Sequence, residues 1–226
     1  MEKVTYLDLL AEHGVNNAHP GGSGLTRKLL RHEKISSDMT LLDIGCGTGQ
    51  TSVYIATHHP CQVIAADINP KMLERARQSF TKNHLDIPLL CADATHLPFP
   101  KNSFHIVLSE SVITFTDISR TLCEFYRVIK PGGKLLAIEV TALQPVTSSE
   151  MDDFKSVVGI TYLPTPDEWR TLFQNVGFTS IQVLCEQGMN RVGAFSPINN
   201  RAFDEYRSIM FRLRRKIGFG VYSCQA

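Results

Sequence analysis

The sequence predicts an α/β domain on an open, doubly wound sheet, and three observations carry that prediction. The run from Thr40 to Ile44 suits a buried strand; it feeds a turn with glycine at 45, 47 and 49, and a helix-compatible segment follows from Thr51 to Thr57. A second apolar run, Val63-Ile64-Ala65-Ala66, ends on Asp67. Beyond it, short apolar runs alternate with amphipathic segments to about residue 140, the order of strand–helix–strand units with parallel strands. Glycine at the turn admits dihedrals closed to other residues and a close ligand approach, and the helix start behind it offers unpaired N–H groups.

The turn reads G-x-G-x-G. Position 50 is Gln, so the last glycine of the dinucleotide fingerprint G-x-G-x-x-G is missing. Asp67 stands 18 residues after Gly49, close to the ~20 at which a carboxylate at the second strand's tip reaches a ribose hydroxyl. Turn and carboxylate together imply a ligand containing a nucleoside.

Length and composition narrow the classes. A chain of 226 residues suffices for one α/β domain with a substantial core and is short for two. With 23 Lys and Arg against 22 Asp and Glu, no global field recruits nucleic acid or an anionic membrane. The six cysteines, at 46, 61, 91, 123, 185 and 224, lack C-x-x-C spacing, which argues against zinc and suits a reducing compartment. No apolar stretch reaches spanning length and the N-terminus is polar from Glu2 onward. The expectation is therefore a cytoplasmic protein with neither signal peptide nor transmembrane helix.

Ahead of the first strand, Tyr6, Leu7, Leu9 and Leu10 have the spacing of a short helix over Thr5 to Glu12, ended by Gly14. A second helix is predicted from Leu25 to about Glu33. The polar loop between them, Asn16 to Gly24, carries His19 and Gly21-Gly22, readable either as lid or substrate-loop elements or as a surface turn. After the glycine turn a helix runs from about Gln50 to His58; the pair His58-His59 beside Cys61 reads as a solvated helix end rather than a metal site, with no carboxylate near. Strand two covers Gln62 to Ala66. Asn69-Pro70 then caps a helix whose apolar face is Met72, Leu73, Ala76 and Phe80.

Strand three is placed at Ile87 to Cys91 and strand four at Ser103 to Ser109. Ser109-Glu110-Ser111 then stands where the crevice of a doubly wound sheet opens. A carboxylate there either favours a cationic ligand and positions a substrate proton, or caps the following helix. That helix spans Asp117 to Val128, with Ile118, Leu122, Phe125 and Tyr126 inward and Arg120 and Glu124 outward. Pro131-Gly132-Gly133 turns into strand five, Lys134 to Val140, where alternation leaves Glu139 facing either the crevice or away. A short helix near Met151 to Val157 precedes one opened by Asp167-Glu168, with Trp169, Leu172, Phe173 and Val176 buried and Gly177 as its cap. Trp169 reads as core. Strand six is Thr179 to Cys185 and the last strand Ile217 to Cys224; the long segment Glu186 to Lys216 between them carries a helix from about Asn199 to Arg215. Its basic end, Arg207, Arg212, Arg214, Arg215 and Lys216, reads as a solvated face that offsets the helix dipole.

Four segments in order carry a resemblance: Leu42-Asp43-Ile44-Gly45-Cys46-Gly47-Thr48-Gly49, then Ala66-Asp67-Ile68-Asn69, then Cys91-Ala92-Asp93-Ala94 with Leu97-Pro98-Phe99, then Arg127-Val128-Ile129-Lys130-Pro131-Gly132-Gly133. Over roughly residues 40 to 140 the chain resembles class I S-adenosylmethionine-dependent methyltransferases, within them the small-molecule branch (methyltransferase type 11) that includes quinone-biosynthesis enzymes. The resemblance implies a Rossmann-like seven-stranded sheet, mostly parallel, with the last strand antiparallel and inserted beside strand five. It further implies a helical N-terminal cap over residues 1–39 and one structural unit over 40–226. It implies S-adenosylmethionine as cofactor, held by Asp43, Gly45, Cys46, Gly47, Gly49, Asp67, Ile68, Met72, Asp93, Ala94, Ser109 and Glu110. Spacing alone makes Met72 plain core, and Asp93 equally a helix cap.

The expected activity is transfer of a methyl group to a small-molecule acceptor by in-line displacement, with Glu110 and His19 as candidate catalytic groups. The expected partners are that acceptor, with no nucleic acid, no membrane and no metal, in a monomer or homodimer. A nicotinamide oxidoreductase is disfavoured by the missing glycine and by Pro131-Gly132-Gly133. Nucleic-acid methylation is disfavoured by balanced charge and by Ser109-Glu110-Ser111-Val112 standing where an Asn/Asp-Pro-Pro-aromatic segment belongs. A non-catalytic protein binding the same nucleoside shares every cofactor residue, and turnover separates the two.

Overall fold

The computed structural model describes residues 5–16, 18–188 and 201–226. Asn17 of the predicted polar loop and residues 189–200 of the long segment before the last strand lie outside the described residues. Seven strands form one sheet: β1 (Thr40–Ile44), β2 (Gln62–Asp67), β3 (Leu89–Cys91), β4 (Phe104–Glu110), β5 (Ile129–Ala142), β6 (Thr179–Gly188) and β7 (Ile217–Gln225), in the order β3-β2-β1-β4-β5-β7-β6. β1 pairs in parallel with β2 and β4, and β4 with β5, whereas β7 lies antiparallel between β5 and β6. The expected Rossmann-like sheet with an inserted antiparallel last strand is therefore present. Its order reverses at β1 and β4, so a crevice opens at the carboxyl ends of those strands.

The helices cover both faces: α1 (Tyr6–His13), α2 (Gly22–Arg31), α3 (Gln50–His58), α4 (Pro70–Lys82), α5 (Ile118–Val128), α6 (Ser148–Val158), α7 (Pro166–Val176) and α8 (Arg201–Leu213). Strand alternation divides the core. Leu42 and Ile44 face the layer of Phe125, Trp169 and Phe173, while Leu41 faces Leu30, Ile55 and Phe80. A third apolar cluster joins Tyr6, Leu9 and Leu10 of α1 to Phe154 of α6 and Phe203, Tyr206 and Leu213 of α8, over Val140 and Ala142 where β5 ends. The N-terminal helices and α8 thus roof the crevice.

Several boundaries move for physical reasons. α2 begins at Gly22, three residues before its predicted start, with Gly21 as a left-handed N-cap, so the last three residues of the expected loop are helix. β3 is cut to three residues because Ile87-Pro88 cannot donate through Pro88. β5 starts already at Ile129 and runs through Pro131-Gly132-Gly133, past its predicted end at Val140. Tyr126, expected inward, is 37 % exposed: its ring meets Phe178 edge-on and lies over Gly177, while Thr121 and Val128 take the buried positions. Trp169 is fully buried, its indole N–H donating to the Val140 carbonyl, and stacks on Phe173. Of the basic end of α8, Arg212 pairs with Asp153 of α6 and Lys216, just beyond the helix, with Glu150, whereas Arg207 pairs with Asp204 of its own helix.

Candidate active site

A cavity of about 440 Å³ fills the crevice. Its floor is the glycine turn. The N–H of Gly47 donates to Asp67 Oδ2 and that of Asn69 to Asp67 Oδ1, both at 2.8 Å, so the carboxylate clamps the turn to the tip of β2. Asp67 is 8 % exposed, and burial pushes its carboxyl up against those backbone donors. Gly47 has φ +54°, and a Cβ there would meet nothing within 4 Å, so the backbone presents a bare surface to the cavity. Gly45 and Cys46 line the same floor. The Cys46 thiol is pushed up by burial and by the carboxylates of Asp43 and Asp67, which keeps it protonated.

Asp43 lies beneath the turn, accepting a short hydrogen bond from the Ser52 hydroxyl. Burial, then the nearby Glu110 carboxylate, push it up to about 7. Ile68 is 62 % exposed at the rim, opposite the buried Met72. Asp93 also lines the cavity, its Oδ1 accepting from both the N–H and the hydroxyl of Thr95 at 2.8 Å. It caps a turn, and no helix follows it.

Three of the expected residues are not at the cavity wall. Gly49 caps α3 with φ +76°, and a Cβ there would strike the Phe80 ring at 2.6 Å, so it serves close packing of α3 on α4. Ala94 is buried against the core. Ser109 is fully buried on the opposite side of β4 from Glu110 and donates to Glu139 Oε1 at 3.3 Å.

Glu110 sits at the junction of four elements. Its Oε1 accepts from the Thr26 hydroxyl of α2, its Oε2 from the Thr51 hydroxyl of α3 at 2.8 Å, and His19 Nε2 lies 3.5 Å from Oε1. His19 Nδ1 faces the Pro20 carbonyl at 3.1 Å. Both side chains line the cavity and both are almost wholly buried. The loop residue and the strand-end carboxylate, predicted separately, are thus brought together.

Glu139 faces away from the cavity. Fully buried, it accepts from the N–H groups of Val112, Ile113 and Thr114 at 3.1, 3.0 and 3.3 Å and from the hydroxyls of Ser109 and Thr114. Burial nevertheless pushes its carboxyl up to about 7. It fixes the 3-10 turn Ile113–Phe115 that ends the cavity wall.

Sequence reasoning missed Thr48, whose hydroxyl donates to Asn16 Oδ1 at 2.6 Å and ties the N-terminal loop to the glycine turn. It also missed the part played by Ser111. That residue has φ +57°, lines the cavity, and keeps a buried hydroxyl with no partner among the described residues. A serine after a strand-end Glu gives no signal of such a backbone. Tyr6, Phe115 and Tyr206 line the other half of the cavity; their helical spacing marked two of them only as core.

The family described as "Methyltransferase domain" matches residues 42–137. The uncharacterized methyltransferase YodH of Bacillus subtilis is 38 % identical over 179 residues, covering 79 % of this chain and 76 % of that one. The chain belongs to the S-adenosylmethionine-dependent methyltransferases. A second relative of this methyltransferase is the ubiquinone/menaquinone biosynthesis C-methyltransferase UbiE of Haemophilus ducreyi, 33 % identical over 169 residues, 62 % of this chain and 64 % of that one. The fold is shared with phosphoethanolamine N-methyltransferase 2 of Haemonchus contortus in complex with S-adenosyl-L-methionine. The TM-score is 0.77 at 20 % identity, over 97 % of this chain and 56 % of that one. S-adenosylmethionine is the cofactor of this methyltransferase. The cavity fits such a ligand on its own chemistry: Asp43, Asp67, Asp93 and Glu110 line it, no Lys or Arg does among the described residues, and Gly47 leaves the backbone bare. An excess of carboxylates suits a cation.

Proposed function

We propose that this methyltransferase methylates a small molecule held in the ring-lined half of its cavity, with the cofactor in the glycine and carboxylate half. The observation that carries the reading is that one cavity is lined both by Gly45, Cys46, Gly47, Asp67, Ile68, Met72 and Asp93 and by Tyr6, Phe115 and Tyr206, with Glu110 and Ser111 also on its wall. When bound, S-adenosylmethionine supplies a methyl group on a sulfonium that is already an activated leaving group. The protein's work is then alignment and exclusion of water. Asp67 holds the turn and presents its carboxylate toward the ribose hydroxyls; Asp93 stands at the nucleoside edge; Asp43, hydrogen-bonded to Ser52, supports the floor from beneath. Gly49, Ala94 and Ser109 support that wall from behind. The cap formed by α1, α2 and the described residues of the loop between them closes over both ligands, and His19 with Glu110 takes up the acceptor's proton where the reaction releases one. The scattered cysteines support a cytoplasmic setting, and no helix among the described residues is long and apolar enough to cross a membrane.

Thermal melting with S-adenosylhomocysteine, S-adenosylmethionine and NAD in parallel tests the reading. At ~100 times the dissociation constant a native-state ligand adds about 2.7 kcal/mol, a rise of roughly 5–10 °C for a chain of this size. The two sulfur nucleosides are expected to give that rise and NAD none. A rise with NAD alone would overturn the assignment of the site.

A further inference from the structure

Glu139 is a buried acid to which the chemistry above gives no part. It stands on β5, fully buried and away from the cavity wall. The donors it takes are all uncharged: the amides of Val112, Ile113 and Thr114, and the hydroxyls of Ser109 and Thr114 at 3.3 and 3.0 Å. Taking a carboxylate out of water is costly, and these donors offset the cost only while the segment that carries them keeps one shape. Carboxylate and segment therefore hold each other.

The segment leaves β4 through Ser111, whose φ of +57° is uncommon for a residue with a side chain and whose N–H donates to the Ile138 carbonyl at 2.7 Å. Val112 comes next. Its γ-methyl fills the space that a Cβ on Gly45 would need, so it packs directly on the first glycine of the turn, and both residues line the cavity. On the β2 side the turn is held by polar bonds. The N–H groups of Gly45 and Cys46 donate to the Ala66 carbonyl at 2.8 and 3.0 Å, and Asp67 takes the N–H of Gly47. On the β4 side it rests on Val112, and Gly45, with φ +73° and no side chain, follows whatever seats it.

Resting on the reading that places the cofactor at the glycine turn, we propose that Glu139 is a positioning residue for cofactor binding. It holds the Val112 amide, Val112 seats Gly45, and an acid that never reaches the ligand sets the shape of the turn beneath it.

Calorimetric titration with S-adenosylhomocysteine tests this, each variant first shown to be folded by urea unfolding. Glu139→Gln keeps the volume but turns an NH2 toward amides and hydroxyls that need an acceptor. It should weaken binding about tenfold, and Val112→Ala by a similar factor. The double variant should also lose only about tenfold, because both changes act on one contact. Phe173→Leu, a core change away from the cavity, should lower stability and leave the affinity unaltered. Unchanged affinity in folded Glu139→Gln, losses that multiply to about a hundredfold in the double variant, or an equal loss in Phe173→Leu would overturn the proposal. If Glu139→Gln does not fold, Thr114→Val, which removes one hydroxyl from Glu139, takes its place: a several-fold loss is expected, and unchanged affinity overturns the proposal. Failure of the wild-type protein to bind S-adenosylhomocysteine removes the cofactor reading and this proposal with it, whereas a wild type that binds beside variants that bind equally well removes this proposal alone.

Discussion

Asp67 and Glu110 carry two different kinds of work, and substitution should separate them. Asp67 clamps Gly47 and Asn69 through their N–H groups, so Asp67→Ala both frees the glycine turn and removes the carboxylate from the cofactor half. The expected loss in S-adenosylhomocysteine affinity is tenfold or more, about 1.4 kcal/mol or above, by calorimetry. Glu110→Gln keeps the shape and the capacity to accept from Thr26 or Thr51 but removes the charge that faces His19. Turnover should fall by more than tenfold while cofactor affinity falls less. Equal losses of binding in both variants would leave Glu110 no part in the chemistry. The placement of Glu110 at the crevice was legible from the end of an apolar strand. His19 was a candidate on its own, but its pairing with Glu110 was not legible, because the two lie 91 positions apart and only folding of the N-terminal segment brings them together.

At the scale of elements, the 3-10 turn Ile113–Phe115 is the part most dependent on one side chain. Glu139 satisfies three of its backbone N–H groups and the Thr114 hydroxyl from inside the core. Glu139→Ala leaves buried donors unpaired, each such group costing about 1–3 kcal/mol. We expect a loss on the order of 3 kcal/mol in urea unfolding. A variant of unaltered stability would show the turn to be held by its own packing. The helices themselves were largely written in local chemistry. Thr5 with Asp8, Thr147 with Glu150, and Thr165 with Glu168 form reciprocal capping boxes, and Asn69-Pro70 starts α4 where predicted. The start of α2 was missed because Gly21-Gly22-Ser23-Gly24 has low helix propensity, and the helix is recovered by burying Thr26, Leu29 and Leu30.

For the whole molecule, the acidic centre sets how stability follows pH. Unfolded, Asp43 gives up its proton near pH ~4; folded, it keeps it to about 7, because burial and Glu110 oppose the charge. The native form holds the extra proton between those values, so stability falls as pH rises from ~4 to about 7 and stays lowered above. Glu139, also raised to about 7 by burial, acts in the same direction. Urea midpoints of the ligand-free protein should therefore drop between pH 5 and pH 8, and Asp43→Asn should flatten part of that slope and be more stable than the parent at pH 8. A slope unchanged in the variant would assign the dependence elsewhere.

The residues by themselves determined the glycine turn, the strands on either side of it and an acidic tip that together ask for a nucleoside, because periodicity and turn chemistry act within short stretches of chain. The seven-stranded order and S-adenosylmethionine followed from the resemblance of four ordered segments to class I methyltransferases. Tertiary structure decided the acceptor side. Tyr6, His19, Phe115, Glu110 and Tyr206 come from four separate stretches of chain, and their local patterns record only that each is apolar, polar or buried. Whether Glu139 faced the cavity or the core was likewise open to alternation and was settled by packing, which turned it toward the amides of the 3-10 turn after β4.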